Sequence, residues 1–390
     1  MNTINLNDVQ TGYFFTEDVY LQGELFFLPK KVPILDYHIK LLKNWNINSM
    51  YTIGELKDLK SVAEDDTPED LEAVFNSPDV SVTTLEDIDD LEEANETIKT
   101  VTDFRSIYKE WILTSIGFFN DIVTKKTIDK EKVVNFITDI KGHVKKNKNE
   151  SLKMFGKQIE GIPYIHRKTI ETTILSYILS ESMQLGDFAS SNLLFSTLFH
   201  DLGMLKVPKE ILQKKGALTK EDLIEIQNHT IYGYKFLREV GYSAIISSGA
   251  LQHHERIDGK GYPNHVTQEK ITEIAKIIAV VDAYCAAIAE RPFKNSIHAK
   301  EAVQDLLKSG GTAYEPSILR ELVKNISFYP IGSLILLSND IPAEVVGTSG
   351  VAMRPIIKIL PKDGKKEEII DLSKRNDIYI KGIYTSNQNG

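Results

Sequence analysis

Two adjacent histidines and a glycine-rich turn are the residues best suited to chemistry. His253 and His254 place two imidazole groups at one point of the chain, and residues 258–263 (Asp-Gly-Lys-Gly-Tyr-Pro) follow with the composition of a tight turn. Imidazole is the commonest nitrogen ligand of transition metals in proteins. The pattern therefore indicates a metal ion with a shaped loop beside it.

Other candidate ligands fall on the apolar stripes of predicted helices, where polar groups need a reason to be buried. His166, His229 and Asp282 are such residues. Burying a lone carboxylate is costly, so Asp282 needs either a metal ion or a buried lysine or arginine as its partner. A lone histidine on an apolar face is more often a core residue bonded to a carbonyl. These residues therefore support a metal site only when they are considered together.

The candidate metal-binding set has seven members, which are His166, His200, Asp201, His229, His253, His254 and Asp282. His200 and Asp201 directly follow the apolar segment 192–199, and a carboxylate at that point can bridge two ions while the imidazole binds one of them. Seven nitrogen and oxygen ligands exceed what one tetrahedral zinc ion uses. They fit two octahedral ions, such as iron or manganese, with positions left for water and substrate.

Helices have to position this set, and the apolar spacing predicts them. Residues 99–326 carry apolar residues at three- and four-residue intervals, with predicted helices near 164–184, 189–201, 219–240, 243–256 and 269–290. Residues 1–60 mix strand patterns with a helix pattern over 35–44 and predict a small α/β module. Strand-like runs over 327–390 predict a short β-rich extension. The fold class is therefore mainly α, with small strand-containing regions at both ends.

Composition separates an acidic connector from the rest of the chain. The net charge is −9 over 390 residues, yet residues 62–98 alone hold fourteen acidic residues and no lysine or arginine. The remainder carries five net positive charges, which suits a polyanionic ligand but does not argue for duplex nucleic acid. We interpret residues 61–98 as a solvated linker.

Cysteine content and hydropathy bear on where the protein works. Cys285 is the one cysteine, which excludes an internal disulfide and fits a reducing compartment. No apolar run approaches the length of a membrane-spanning helix, and the first residues lack the pattern of a secretory signal. We expect a cytoplasmic protein without membrane insertion.

Over about 150–326 the sequence resembles the HD-GYP phosphodiesterases, a subgroup of the HD metal-hydrolase superfamily. The motifs that carry the resemblance are His200-Asp201-Leu202-Gly203, His229 with Gly233, His253-His254-Glu255-Arg256, Gly261-Tyr262-Pro263, Asp282-Ala283-Tyr284, Arg291-Pro292-Phe293-Lys294 and Gly311-Thr312 with Glu315-Pro316. The resemblance implies an all-helical catalytic core over 150–326. Residues 1–60 resemble, more loosely, a small domain that often precedes such units.

The resemblance implies hydrolysis of cyclic di-GMP to linear pGpG, and it leaves open whether GMP follows. His166, His200, Asp201 and Asp282 would hold one metal ion, while Asp201, as a bridge, with His229, His253 and His254 would hold the other. A hydroxide shared by the ions would attack phosphorus, which makes His200 and Asp201 the centre of catalysis.

The resemblance also implies which residues contact the substrate. Arg291 and Lys294 would grip the phosphates, and Tyr262 would flank a guanine or shape the pocket. Gly259 and Gly261 would give the turn its positive φ angles.

Three positions depart from the family pattern. Met204 replaces a lysine that contacts the scissile phosphate in other members. Either activity is weakened, or Lys206, the nearest lysine, contacts the phosphate in its place. Ile162 stands where some members have a glutamate for a third metal ion, although Glu160 is near, so we predict two ions. Cys285 replaces an acid, and we predict that its thiol packs in the core.

Two other functions stay open. Met204 and the acidic linker would suit a cyclic di-GMP receptor that signals with weak or no turnover. An HD hydrolase acting on other nucleotides is the other alternative, and Gly261, Tyr262, Arg291 and Lys294 argue against it. Residues 1–60 could sense, form a homodimer or dock a protein partner, and the sequence does not decide between these roles.

Overall fold

The computed structural model describes most of the chain, with gaps. The described residues are 2–17, 19–21, 25–28, 30, 34, 39, 42–43, 48–58, 91–157, 159, 161–214, 216–289, 298–360, 367–375 and 377–384, of which 21, 25–28, 91–103, 298–300 and 302 are described by backbone alone. The chain divides into two compact units, residues 1–103 and 104–390. Most of the predicted linker, up to residue 90, lies outside the described residues.

The N-terminal unit is strand-rich in its described part. Strands β1 (Asn2–Asn5), β3 (Val19–Leu21), β4 (Leu25–Leu28) and β5 (Ser49–Thr52) form an antiparallel sheet in the order β1-β5-β3-β4, and β2 (Tyr13–Phe15) pairs with β6 (Leu56–Asp58). Phe15, Val19 and Met50 fill its core. The helix predicted for residues 35–44 lies mostly outside the described residues.

The second unit is mainly helical. Its helices, in chain order, are α1 (Leu91–Asn120, which belongs to this unit from Phe104 on), α2 (Lys130–Lys146), α3 (Lys148–Lys153), α4 (Tyr164–Ser182), α5 (Asp187–Leu198), α6 (Lys209–Leu212), α7 (Lys220–Gln227), α8 (His229–Glu239), α9 (Ala244–Gln252), α10 (Glu273–Ile288), α11 (His298–Lys308) and α12 (Pro316–Asn325). A π-helical turn (Asp121–Lys125) continues α1, and a 3-10 turn (Leu202–Lys206) follows α5. The predicted mainly helical fold is confirmed.

An antiparallel sheet follows the last helix of this unit. Its strands are β7 (Leu334–Leu337), β8 (Pro342–Gly347), β9 (Ile356–Ile359), β10 (Ile369–Asp371) and β11 (Ile380–Ile383), in the order β10-β9-β8-β7-β11. Four of the strands coincide with predicted runs. The edge strand β10 was not predicted, because three residues with one buried side chain are too short for a recognisable alternation.

Helix α4 is the central element of the helical unit. Every residue from His166 to Ser180 is buried, although the segment includes charged side chains, because α2, α5, α10 and α12 surround the helix. A helix enclosed in this way must pair its charges internally. It therefore brings polar groups to the middle of the fold.

One difference from the predicted helices affects the site. The helix predicted over 219–240 is two helices, α7 and α8, which meet at Asn228. The imidazole of His229 and the hydroxyl of Thr230 bond to the carbonyls of Ile226 and Gln227, in place of the backbone bonds of a continuous helix. His229 therefore stands at the start of α8.

A buried glutamate ties α4 to α1. The hydroxyl of Tyr108 and the amide of Gly156 both donate to Oε1 of Glu171, at 3.2 and 3.1 Å, and the Nε of Arg167 lies 3.7 Å from that oxygen. Burial raises the pKa of Glu171 to about 7, against the opposing effect of Arg167. The carboxyl group therefore binds a proton in the folded protein at pH values where the unfolded chain has lost it.

This shift predicts how Glu171 affects stability with pH. The folded pKa lies above the unfolded value of 4.5, so the carboxyl's contribution to the free energy of unfolding falls as pH rises between these values. We expect the difference in unfolding free energy between wild type and Glu171→Gln to change by roughly 2–4 kcal/mol between about pH 5 and about pH 8, in favour of the glutamine variant at high pH. Urea unfolding at both pH values measures this, and a pH-independent difference would contradict it.

Among the described residues, none of the helices combines the length and apolar character needed to cross a bilayer.

Candidate metal centre

Helix ends hold the imidazole rings of the site. The Nδ1 atom of His200, just after α5, lies 2.6 Å from the carbonyl oxygen of Thr197, and Nδ1 of His229 lies 2.7 Å from that of Ile226. Nδ1 of His253, just after α9, lies 2.9 Å from the carbonyl oxygen of Gly249. Carbonyls in the last turn of a helix lack partners within the helix. Because a carbonyl can only accept, each ring donates from Nδ1 and directs Nε2 towards the others.

Glycines allow these elements to approach one another. A Cβ on Gly203, in the 3-10 turn, would lie 1.9 Å from the carbonyl oxygen of His229 and 2.5 Å from the amide nitrogen of Gly233. Gly233 in turn faces the amide nitrogen of Gly203, and the absence of a side chain allows this close backbone approach. The turn that carries Asp201 therefore sits directly against the start of α8.

The first group of ligand atoms comprises Asp201, His229, His253 and His254, which lie within 4.8 Å of one another. Nε2 of His229 is 3.2 Å from Nε2 of His253, and Oδ1 of Asp201 is 3.5 and 3.6 Å from these nitrogens. Since both rings donate from Nδ1, their neutral forms would point two lone pairs at each other across 3.2 Å. Either a shared proton or a metal ion between the nitrogens would remove this repulsion.

Burial prepares the first group for a metal. It lowers the pKa of His229 to about 4 and that of His254 well below the ordinary value. Both rings are therefore neutral at pH 7, which is the form that binds metal ions. The chemistry of this donor set fits one divalent transition metal.

The second group comprises His200, Asp201 and Asp282. Nε2 of His200 is 3.1 Å from Oδ1 of Asp282 and 3.3 Å from Oδ2 of Asp201. Nζ of Lys168, on α4, is 2.7 Å from the same two oxygens. Burial alone would raise the pKa values of both carboxyls, but Lys168 and His200 hold them well below their usual range. Asp282 therefore has the buried lysine partner that was the alternative to a metal ion.

His166 lies outside both groups. Its ring packs edge-on against Phe119 with 5.3 Å between ring centroids, and its Nδ1 atom is buried without a hydrogen-bond partner. Six of the seven predicted ligands therefore fall into two groups that share Asp201, and the seventh does not.

The loop beside the first group is built around Glu255. Its buried carboxylate accepts from the amides of Asn264 and Val266 at 2.6 and 3.3 Å. The ring of Tyr262 stacks on that of His254 at 4.7 Å between centroids. Tyr262 is half-buried, so part of its ring stays open to a ligand.

Glycine is needed at positions 259 and 261 for different structural reasons. Gly259 has φ +74°, as predicted, but the prediction of a positive φ at Gly261 is wrong. A Cβ on Gly261 would lie 2.3 Å from the amide nitrogen of Arg256 and 2.5 Å from the carbonyl oxygen of His254. Close packing of the loop on itself, rather than backbone conformation, therefore demands glycine at position 261.

Comparison with known proteins finds similarity over the helical unit. Residues 137–318 match the family model described as "HD domain". This region of the chain resembles an HD domain. A cyclic di-GMP phosphodiesterase of Pseudomonas aeruginosa is 29% identical over 268 residues, covering 66% of this chain and 64% of that protein. One of Borreliella burgdorferi is 29% identical and covers 54% of this chain and 55% of that protein. One of Thermotoga maritima is 33% identical and covers 41% of this chain and 44% of that protein.

The resemblance to HD-GYP phosphodiesterases that the motifs predict is thereby confirmed. The chain spans less than two thirds of the length of each of these relatives.

Some of the predicted substrate-binding residues lie outside the described part of the chain. Arg291 and Lys294 lie outside the described residues, as does Glu160. Lys206 is exposed, and its Nζ lies 4.5 Å from the centroid of the Tyr232 ring. Met204 is half-buried, and Cys285 is fully buried among core residues of the helical unit, as predicted.

Lys168 and Glu255 are the site residues that the sequence prediction missed. Lys168 lies in the stretch of α4 from His166 to Ser180, which is buried on all sides, so a lysine there needs an acidic partner, and this was the available signal. Glu255 follows the histidine pair directly, but a carboxylate that binds backbone amides of a later loop leaves no spacing pattern. Lys168 contacts Asp201 and Asp282 of the second group, and Glu255 holds the loop beside the first group.

Proposed function

We propose that this chain is a metal-dependent phosphodiesterase that hydrolyses cyclic di-GMP to pGpG. One observation carries the proposal, namely the two Nε2 atoms of His229 and His253 that face each other at 3.2 Å beside Asp201. The names of the three relatives support cyclic di-GMP as the substrate. The single buried cysteine, Cys285, supports a cytoplasmic location.

Asp201, His229, His253 and His254 would hold the metal ion, for which we propose iron or manganese. Such an ion lowers the pKa of water and neutralises charge that develops on phosphate oxygens. The second ion that the sequence predicts at His200, Asp201 and Asp282, with His166, is not part of this proposal. Burial of His229 and Asp201 keeps bulk water from competing for the ligand atoms.

The chain's own residues would bind and orient the dinucleotide. The half-buried Tyr262 ring, already stacked on His254, offers its remaining surface to a guanine base. Arg291 and Lys294 stay our prediction for the phosphate contacts. The buried carboxylate of Glu255 holds the loop that carries Tyr262, so the tyrosine does not need to be ordered when substrate binds.

A hydrolysis assay tests the proposed function. Purified protein loaded with Mn²⁺ or Fe²⁺ is incubated with cyclic di-GMP, and products are separated by chromatography, with cyclic di-AMP and 3′3′-cyclic GMP-AMP as competing substrates. We expect pGpG from cyclic di-GMP, and loss of the product when a chelator removes the ion. Faster hydrolysis of another cyclic dinucleotide would contradict the substrate, and absence of hydrolysis by folded, metal-loaded protein would contradict the reaction.

A cyclic di-GMP receptor is the second candidate, and Met204 is the observation that favours it. A thioether cannot supply the positive charge that a lysine would bring to the phosphate three residues after Asp201, and Lys206 is engaged with Tyr232. Tight binding of cyclic di-GMP without product would favour this function.

Met204→Lys is expected to raise the turnover number by roughly tenfold, because a hydrogen bond from a charged donor contributes about 1.5–3 kcal/mol. Steady-state kinetics on the metal-loaded protein measure the change. Met204→Leu is the matched control and should leave the rate near that of the wild type. An unchanged rate in the lysine variant would mean that another cation already serves the phosphate.

A further inference from the structure

A buried ammonium group lies inside the second ligand group. Lys168 is 8% exposed, and its Nζ is 2.7 Å from Oδ2 of Asp201 and 2.7 Å from Oδ1 of Asp282. These are the same two oxygens that approach Nε2 of His200. The lysine therefore contacts the atoms through which this group would bind a metal ion.

The carboxylate of Asp201 shows how the two groups are related. Its Oδ1 atom faces the nitrogens of His229 and His253, whereas its Oδ2 atom faces Lys168. A carboxylate that bridges two cations uses its oxygens in this divided way. In this chain one oxygen faces the imidazole nitrogens of the first group, and the other faces the ammonium group of Lys168.

Two further observations weigh against a divalent ion in the second group. An added ion would share two carboxylate oxygens with an ammonium group, so that two cations would compete for the same atoms at close range. His166, which would have to supply another ligand, packs against Phe119 instead of joining the group. The second group thus fits a second metal ion poorly, while the first group fits an ion well.

We propose that Lys168 is a built-in cation that takes the place of a second metal ion, so that the centre binds one divalent ion per chain. This inference rests on the proposed metal centre at Asp201, His229, His253 and His254. Lys168 is a positioning residue in this account, because it acts through Asp201 by fixing Oδ2 and leaving Oδ1 for the ion. Its ammonium also neutralises part of the charge of the two buried carboxylates.

Metal counting on the full chain tests the inference. Apo protein is loaded with excess Mn²⁺, desalted and assayed for bound manganese, and electron paramagnetic resonance reports whether the ions are isolated or exchange-coupled. We expect about one ion per chain and the spectrum of isolated Mn²⁺ in the wild type. In Lys168→Met we expect the bound manganese to rise about twofold, with an exchange-coupled spectrum.

Lys276→Met is the matched control. Its side chain is also largely buried, but Lys276 is paired with Glu273 at 2.8 Å, outside both ligand groups, so its replacement should leave the manganese count unchanged. Circular dichroism checks that each variant is folded. If Lys168→Met does not fold, the number of manganese ions per wild-type chain and the electron paramagnetic resonance spectrum of the wild type test the inference on their own.

Two results would overturn the inference. The first is about two exchange-coupled ions in the wild type, and the second is a folded Lys168→Met protein that still binds one isolated ion. Failure of the proposed function would give a different result. A protein without phosphodiesterase activity would bind no metal ion, or would show no hydrolysis of cyclic di-GMP when loaded with metal. The number of ions and the presence of hydrolysis are measured separately, so the two failures are distinguishable.

Discussion

Replacing Asp201 with asparagine is expected to remove most of the metal binding and of the phosphodiesterase activity. The neutral amide keeps the shape of the side chain but loses the charge that attracts an ion towards His229 and His253. We expect turnover of cyclic di-GMP to fall by at least about 10²–10³-fold, the range found when one group that stabilises developing charge is removed. Metal analysis and product chromatography on the same sample measure both effects.

Asp222→Asn is the matched control for this change. Asp222 is a carboxylate in the capping box of α7 and belongs to neither ligand group, so its replacement should alter stability slightly and metal content not at all. Full activity with full metal content in Asp201→Asn would contradict the central place of this residue. Loss of the fold in that variant would be visible by circular dichroism and would shift the test to His229→Ala.

Gly203→Ala is expected to have the largest effect on stability. The added Cβ would lie 1.9 Å from the carbonyl oxygen of His229, which is backbone and cannot move aside without displacing α8. We expect the free energy of unfolding to fall by at least about 3 kcal/mol, since overpacking against rigid backbone exceeds the usual cost of a core substitution. Metal affinity should fall as well, because the strain acts on a proposed ligand.

Gly142→Ala shows what the same change does where there is room. Gly142 is an exposed residue within α2, and a Cβ there would meet no atom within 4 Å. Alanine favours a helix interior by about 1 kcal/mol over glycine, so this variant should be slightly more stable than the wild type. Urea unfolding measures both variants, and equal effects would contradict the close approach of the 3-10 turn to α8.

The helical scaffold was predictable because its signals are local. Apolar spacing locates α4, α5, α9 and α10, and the polar residues on their buried stripes supply the candidate ligands. The division at Asn228 escaped prediction, since it depends on the side chains of His229 and Thr230 bonding to carbonyls in competition with the helix. The spacing of apolar residues alone cannot show which hydrogen-bond partner a buried side chain has.

The pairing of charges within the site was the least predictable part. The sequence raises two possibilities for Asp282, a metal ion or a buried lysine, and only the three-dimensional arrangement brings Lys168 to it. His166 is a histidine on the apolar stripe of α4, as expected for a ligand, yet its ring packs against Phe119. The role of residues 1–60, as a sensor, a dimer contact or a docking module, stays a prediction.

The most direct test of the central claim is metal analysis and cyclic di-GMP hydrolysis on the same anaerobically purified protein. We expect bound divalent metal, pGpG as the product, and a parallel loss of metal and product when a chelator is added. Restored activity on adding iron or manganese would complete the result. Hydrolysis that continues in fully metal-depleted protein would contradict the account, because the site formed by Asp201, His229, His253 and His254 would then not be the source of activity.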